Sequence, residues 1–201
     1  MVLATLGVFV ISFDALLVRL AGVDAATVSF YRGLFMGISM LFVWYKLSKR
    51  PLKCVKKSER KLFFLIVTLS ALSTSLFVFS INYTAAANTV VFLATASFFA
   101  AIFTYFLIKE RIEKSTILAI IISFVGVAIV FGNSFGIGSN WMGDLMGIAL
   151  AIVMGLQLTL LRKYPHFPHM LIISLSGFVV AFVMFFISQN LLNRFSHVCK
   201  N

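Results

Sequence analysis

The fold is decided by two apolar segments in tandem, LFFLIVTLSALSTSLFVFSIN at residues 62–82 and ANTVVFLATASFFAAIFTYFLI at residues 87–108. Each has about the twenty residues that are needed to cross roughly 30 Å of hydrocarbon as an α-helix. The charged block KERIEK follows at residues 109–114, and a third apolar segment follows the block. This arrangement is typical of a membrane protein that crosses the bilayer several times.

Composition and charge indicate the same class of protein. The chain has 201 residues, of which 61% are hydrophobic and 11% are charged, whereas globular chains carry about 25% charged residues. The net charge of +11 is concentrated, since eight of the 17 lysines and arginines lie at residues 46–61, between apolar segments. A basic loop of this kind faces anionic lipid headgroups. We therefore expect the lipid bilayer as a partner and no nucleic acid.

We predict an all-α fold, a polytopic membrane helix bundle with about seven transmembrane helices. The loops at residues 46–61, 109–114 and 162–169 hold 13 of the 17 lysines and arginines, and the alternate loops hold none. Because positive loops stay on the cytoplasmic side, we expect a cytoplasmic N-terminus and a location in the inner (plasma) membrane of a bacterial cell. The predicted spans are residues 2–20, 25–45, 62–82, 87–108, 115–132, 142–161 and 170–189.

Small residues recur at helical spacing on two spans. Gly33 and Gly37 form a GxxxG pair on the second span, and the sixth span carries a four-step ribbon. Such faces let helix backbones approach closely in lipid, although glycine and alanine are also common in membrane helices without this role. The ribbon consists of Gly143, Gly147, Ala151 and Gly155.

The chain is weakly similar to itself at an offset of about 143 residues. Residues 12–19 align with residues 155–162, so that Asp14 matches Gln157 and Arg19 matches Arg162. One further residue of offset places Gly33 over Gly177. In the predicted topology the two copies run in opposite directions, and inverted repeats are a signature of secondary transporters.

Several short motifs occur in an order that is typical of one family. They are Val18-Arg19, Phe30-Tyr31-Arg32, Ser80-Ile81-Asn82-Tyr83-Thr84-Ala85-Ala86, Lys109-Glu110-Arg111-Ile112 and Gly126. With these motifs the chain resembles the EamA-type transporters of the drug/metabolite transporter superfamily. The resemblance covers residues 1–132 well and 142–189 more loosely. It implies a first repeat of five helices at 1–132, the first two helices of a second, inverted repeat at 142–189, and a short tail at 190–201.

The resemblance also implies a function, which is secondary active export or exchange of small metabolites by alternating access, with the substrate unspecified. The chain departs from the family pattern at Ser97, where a proline is usual, and in length, because the family has ten helices. We expect a C-terminally truncated, inactive form, or else a bundle that two copies complete by self-association through the ribbon of the sixth span. The alternative function is a non-transporting membrane subunit or assembly partner.

Two charged residues lie inside predicted spans at similar depth. Asp14 lies roughly 9 Å below the external surface on the first span, and Arg32 lies at nearly the same depth on the second. A charge in hydrocarbon costs several kcal/mol unless it is paired or neutralised. A functional pair would use Arg32 to hold an anionic group such as a substrate carboxylate and Asp14 to titrate. A structural ion pair between the two helices is the alternative.

Uncharged polar residues form a stripe on the third span. Ser73, Thr74 and Tyr83 are candidates for the substrate path, while we expect Ser70 to bond a carbonyl of its own helix. Gln157, the repeat partner of Asp14, is a weaker candidate on the sixth span.

Catalysis is not indicated, because the sequence contains no nucleophile–base pair and no phosphate-binding glycine loop. His166 and His169 lack a third ligand, so we expect no metal site. No cofactor is expected either.

We predict that Asp14→Asn abolishes pH-coupled transport, because the substituted side chain can no longer gain and lose a proton. Flux driven by a pH gradient in reconstituted vesicles measures this, with immunodetection in the membrane fraction as the control for insertion. Unchanged flux would exclude a coupling role for Asp14.

Overall fold

The computed structural model describes residues 24–47, 59–84, 86–109, 118, 121–122, 125–126, 129 and 141–198. Within these residues the fold is entirely helical, and its five helices are all long and apolar enough to cross a membrane. They correspond to the second, third, fourth, sixth and seventh predicted spans. The helices are α1 (Ala25–Leu47), α2 (Arg60–Tyr83), α3 (Ala86–Ile108), α4 (Trp141–Lys163) and α5 (His169–Val198).

The structure describes the other two predicted spans only in part or not at all. The first span, at 2–20, lies outside the described residues. The fifth span, at 115–132, is described at six positions, and all six are helical and exposed. The described residues therefore give an all-helical membrane fold with five candidate spans, and the total of seven stays a prediction.

The helix ends follow local chemistry. After α3, Lys109 adopts a left-handed backbone with φ of 59°, and its amide donates to the carbonyl of Tyr105 at 3.1 Å. This is a common way to end a helix, and it occurs where the predicted charged block begins. Helix α5 continues past the predicted boundary at 189, because residues 190–198 contain neither glycine nor proline to stop it.

Helix α2 is the centre of the described bundle and contacts each of the other four helices. We use "outer end" for the end that carries Tyr83 and "inner end" for the end that carries Arg60, after the orientation predicted from the loops. At the inner end, Phe63 and Ile66 of α2 pack with Leu160 of α4 and Phe167 of the α4–α5 loop. Nearer the outer end, a second cluster joins α2 to Leu150 of α4.

Helices α1 and α5 pack most closely at Gly33 and Gly177. A Cβ atom built on Gly33 would lie 2.7 Å from the carbonyl oxygen of Gly177, and one built on Gly177 would lie 2.6 Å from that of Gly33. One turn along, the hydroxyl of Ser174 donates to the carbonyl of Gly37 at 2.8 Å. The two backbones thus approach at a distance that only glycine permits.

The ribbon on α4 is covered within the chain, not by a second copy. A Cβ on Gly155 would lie 2.6 Å from Cβ of Phe99 on α3. Gly147 likewise faces the ring of Phe92. The expectation that two copies pair through this face is therefore wrong, because α3 already occupies it.

We predict that Gly177→Ala lowers the free energy of unfolding by about 1–3 kcal/mol, since the new methyl group would collide with backbone that cannot swing away. Unfolding in mixed micelles, followed by tryptophan fluorescence, measures the change.

Gly126→Ala is the matched control, because a Cβ at Gly126 would have nothing within 4 Å. This variant should leave stability unchanged or raise it through helix propensity. Equal effects of the two substitutions would contradict the close contact.

Candidate functional site

A polar cluster joins α2 to α4 near the middle of α2. Gln157 donates from Nε2 to the hydroxyl of Ser70 at 2.7 Å, and its Oε1 accepts from the hydroxyl of Ser73 at 3.2 Å. Both serines are buried. Ser70 thus accepts a hydrogen bond from another helix. The expected donation from its hydroxyl to a carbonyl of its own helix stays a prediction. With both ends of the amide engaged, this cluster holds α2 against α4.

Arg32 contributes a partly buried positive charge to the outer half of the bundle. It lies seven residues after the start of α1, about 10 Å along the helix. Its Cζ atom is 4.8 Å from the ring centroid of Phe77 on α2. This is a cation–π contact, and such contacts are strongest where water is excluded.

A second polar cluster closes the outer end. Asp144, in the first turn of α4, is only 3% exposed, and its Oδ1 accepts a 2.7 Å hydrogen bond from the hydroxyl of Thr84. Ser80 donates to the carbonyl of Gly143 at 3.1 Å and bonds Thr89 at 2.9 Å. The turn between α2 and α3 is thereby tied to the start of α4.

The remaining predicted site residues are dispersed. Thr74 donates to the carbonyl of Ser70 within its own helix. Tyr83 is 44% exposed and stacks on Phe79 with ring centroids 6.3 Å apart. Asp14 lies outside the described residues, so the proposed Asp14–Arg32 pair stays a prediction.

The inner end is held by charged and aromatic contacts. His166 in the α4–α5 loop bonds Glu59, just before α2, at 2.9 Å. Lys163 donates to the carbonyl of Leu107 at 3.0 Å. Phe167 in the same loop is buried, with its ring 5.8 Å from that of Phe63. These contacts join α2, α3, α4 and α5 at one end of the bundle.

A cavity of about 370 Å³ opens between α2, α4 and α5. Ser75 provides the one polar side chain among its ten lining residues, and none of the site candidates that the structure describes is among them. The cavity does not account for recognition of a polar solute.

Comparison with known proteins assigns the chain to a family. A model of the EamA-like transporter family matches residues 1–132. The chain belongs to this family. It is thus an EamA-type membrane protein of the drug/metabolite transporter superfamily.

Two relatives of this EamA-like chain are named as uncharacterized transporters. One, from Clostridium kluyveri, is 38% identical over 86 residues, which are 41% of this chain and 27% of the relative. The other, YetK from Bacillus subtilis, is 30% identical over 125 residues, which are 56% of this chain and 37% of the relative. The chain therefore matches well under half the length of each. No solved structure matches it.

The structure also shows polar residues that sequence reasoning missed in this EamA-like chain. Asp144 lies at the start of a predicted span, where an acid is expected to cap the helix and face water. The only feature of the sequence that could have indicated it is its position, since Asp144 directly follows Gly143 of the ribbon. The partner hydroxyl on Thr84 lies 60 residues away, so the pairing could not be read from either residue alone.

We predict that Thr84→Val lowers the free energy of unfolding by about 1–2 kcal/mol, since it leaves a buried carboxylate without its hydroxyl donor. Chemical unfolding in mixed micelles measures the change.

Thr68→Val is the matched control, because Thr68 is exposed and donates only to the carbonyl of Leu65 in its own helix. Its effect should stay within about 0.5 kcal/mol. If Thr84→Val is equally mild, the bond to Asp144 does not stabilise the outer end.

Proposed function

We propose that this chain moves a small metabolite across the membrane as a secondary transporter, by alternating access between two inverted repeats. The observation that supports this mechanism best is the contact between Gly33 and Gly177. These two residues are repeat partners in the sequence alignment, and their backbones touch.

Inverted repeats are related by a pseudo-two-fold axis in the membrane plane. A residue near such an axis contacts its own repeat partner, and the contacts around it come in exchanged pairs. A Cβ on Gly33 would lie 3.1 Å from the amide nitrogen of Ala181, and one on Gly177 would lie 2.8 Å from that of Gly37. Ala181 is the repeat partner of Gly37 at the same offset, so these two contacts exchange.

A contact on the axis moves least when two halves rock against each other. Close backbone packing of α1 on α5 is then compatible with rocking of the two repeats, because the two helices rotate about the pseudo-two-fold axis without separating. The bonds that must change lie farther from the axis, at the inner and outer ends. The Glu59–His166 and Thr84–Asp144 contacts are at these positions.

The transport path in this proposal passes Arg32, with Asp14 as the group that titrates. Ser73 and Gln157 contribute where α2 meets α4, and their mutual bond must open for a solute to pass between these helices. Tyr83 would lie at the outer mouth. Thr74 contributes least, because its hydroxyl is bonded to its own helix.

A location in the inner membrane with cytoplasmic inner ends fits the distribution of charge. Six of the eight described lysines and arginines lie at or near the inner end of a helix, namely Lys46, Arg60, Lys61, Lys109, Arg162 and Lys163. The two exceptions are Arg32 and Arg194, which lies near the end of α5. Positive charge of this kind stays on the cytoplasmic side.

The competing function is a non-transporting membrane subunit. One observation favours it, namely that both ends of the Gln157 amide are engaged by serines of α2. In that case the cluster would serve packing alone.

We predict that cells expressing the chain release at least one metabolite faster than cells with an empty vector. We also predict that Arg32→Gln reduces this release more than about tenfold, because it removes the positive charge that lines the proposed path. Untargeted metabolite profiling of the medium measures the release, normalised to protein in the membrane fraction.

Arg60→Gln is the matched control, because Arg60 is exposed at the inner end of α2. It should retain release within about twofold. If no metabolite distinguishes the wild type from the empty vector, this chain is not a transporter by itself.

A further inference from the structure

The loop between α4 and α5 contacts the start of α2 through two neighbouring side chains. Phe167 is 1% exposed and belongs to the cluster at the inner end, where its ring stands at 90° to that of Phe63. His166, directly before it, lies at the surface, and its Nε2 is 2.9 Å from Oε2 of Glu59. The loop thus has one apolar contact inside the bundle and one ionisable contact in water.

The loop is short and stiff, so these two contacts are coupled. It has five residues between the end of α4 and the start of α5. Two of them are Pro165 and Pro168, whose rings fix the backbone angle φ. The amide of Phe167 donates to the carbonyl of Tyr164 at 3.3 Å, and the two rings stack with centroids 5.6 Å apart. A displacement of His166 is therefore passed on to Phe167.

Glu59 is the one acid at the inner end among the described residues. It directly precedes α2, yet its side chain makes no capping hydrogen bond to that helix. Arg60 and Lys61 follow it in the chain, but the ion pair that the structure gives Glu59 is with His166. A permanent cation would hold Glu59 at every pH, whereas an imidazole forms an ion pair only when it is protonated.

Every helix that ends or begins at the inner end brings charged or titratable groups to it. The lysines and arginines oppose a positive charge on His166, but all six are exposed, so water and salt screen them. Glu59 is in direct contact, and its attraction is the strongest of these effects. The groups are Lys46 of α1, Glu59, Arg60 and Lys61 at the start of α2, Lys109 after α3, Arg162 and Lys163 of α4, Tyr164 of the loop and His169 of α5.

We propose that the Glu59–His166 contact is a pH-sensitive latch, which holds the inner end of the bundle closed when His166 is protonated. Protonation converts the hydrogen bond of a neutral imidazole into an ion pair, which is stronger. Because closing the inner end creates this contact, closing is accompanied by proton uptake. Acid on the inner side therefore favours the closed end, and this stabilisation is lost as the pH rises.

The latch goes beyond the proposed transport function and rests on it only for its consequence. Under alternating access, the inner end must open before a solute enters from that side, so acid on the inner side slows this step. The side chains of His166 and Glu59 are 44% and 26% exposed. A partly exposed ion pair of this kind changes the opening equilibrium by about three- to fivefold.

The test measures the opening of the inner cluster in the full chain, in phosphatidylcholine nanodiscs. Cys54 and Cys199 are replaced by serine, and Leu171→Cys places a reporter thiol in the cluster, at a position that is 5% exposed. A second chain carries Met170→Cys instead, at a neighbouring position that is 36% exposed. The ratio of the two reaction rates with a water-soluble maleimide reports opening, because the pH dependence of the thiol reaction is common to both.

We expect this rate ratio, Leu171→Cys over Met170→Cys, to rise by about three- to fivefold from about pH 5.5 to about pH 8, where an imidazole loses its charge. His166→Gln and Glu59→Gln should each make the ratio independent of pH, since each removes one partner of the ion pair. His169→Gln is the matched control, because His169 is exposed at the start of α5 and forms no ion pair among the described residues. This variant should keep the full rise.

Two results would overturn the inference. One is a ratio that does not change with pH when His166 and Glu59 are both present. The other is a rise that persists in Glu59→Gln, because the histidine would then act without the carboxylate. Metabolite release from cells together with a pH-independent ratio would refute the latch and leave the transport function. A pH-dependent ratio in a chain that releases no metabolite would refute transport and leave the latch.

Discussion

The close approach of Gly33 and Gly177 sets how the described helices can be arranged. Two helices whose backbones touch have little freedom in separation or register, so this contact fixes where α1 and α5 meet. Lipid provides no hydrophobic force to bring apolar helices together, and association depends on packing and hydrogen bonds. Because glycine has no side chain, the backbones of two helices can pack directly against each other at these positions. The bond from Ser174 to the carbonyl of Gly37 fixes the register of the same pair.

The other half of the described bundle uses polar contacts for the same purpose. Helix α4 is held to α2 by Gln157 near the middle and by Asp144 at the outer end. A polar side chain in hydrocarbon is costly unless its polar atoms are hydrogen-bonded. The helix arrangement that provides these hydrogen bonds is therefore strongly favoured. Packing of glycines against α3 adds close contact on the neighbouring face of α4. Polar and small residues thus specify which helices meet.

The spans could be predicted well from the sequence because length and apolarity are imposed by the bilayer. The predicted ends of α1 to α4 agree with the structure within two residues. The pairing of helices could not be predicted in the same way. Core-facing and lipid-facing sides are both apolar, so a span carries little periodic signal about its packing face. The ribbon on α4 was visible, but its partner α3 was not.

The site shows the same limit. Gln157 was identified as a candidate because it matches Asp14 in the repeat, yet its partners on α2 depend on tertiary packing. Asp144 was not among the candidates, because its burial depends on a contact with Thr84, 60 residues earlier.

The pairing of α1 with α5 has a consequence for biogenesis. More than a hundred residues separate the end of α1 from the start of α5. At a synthesis rate of about 5–20 residues per second, α1 waits on the order of ten seconds for this partner. During that time the face with Gly33 and Gly37 is open to lipid or to an insertion factor, and Arg32 lies on a helix that lacks its main neighbour. A contact that defines the finished bundle is therefore among the last to form.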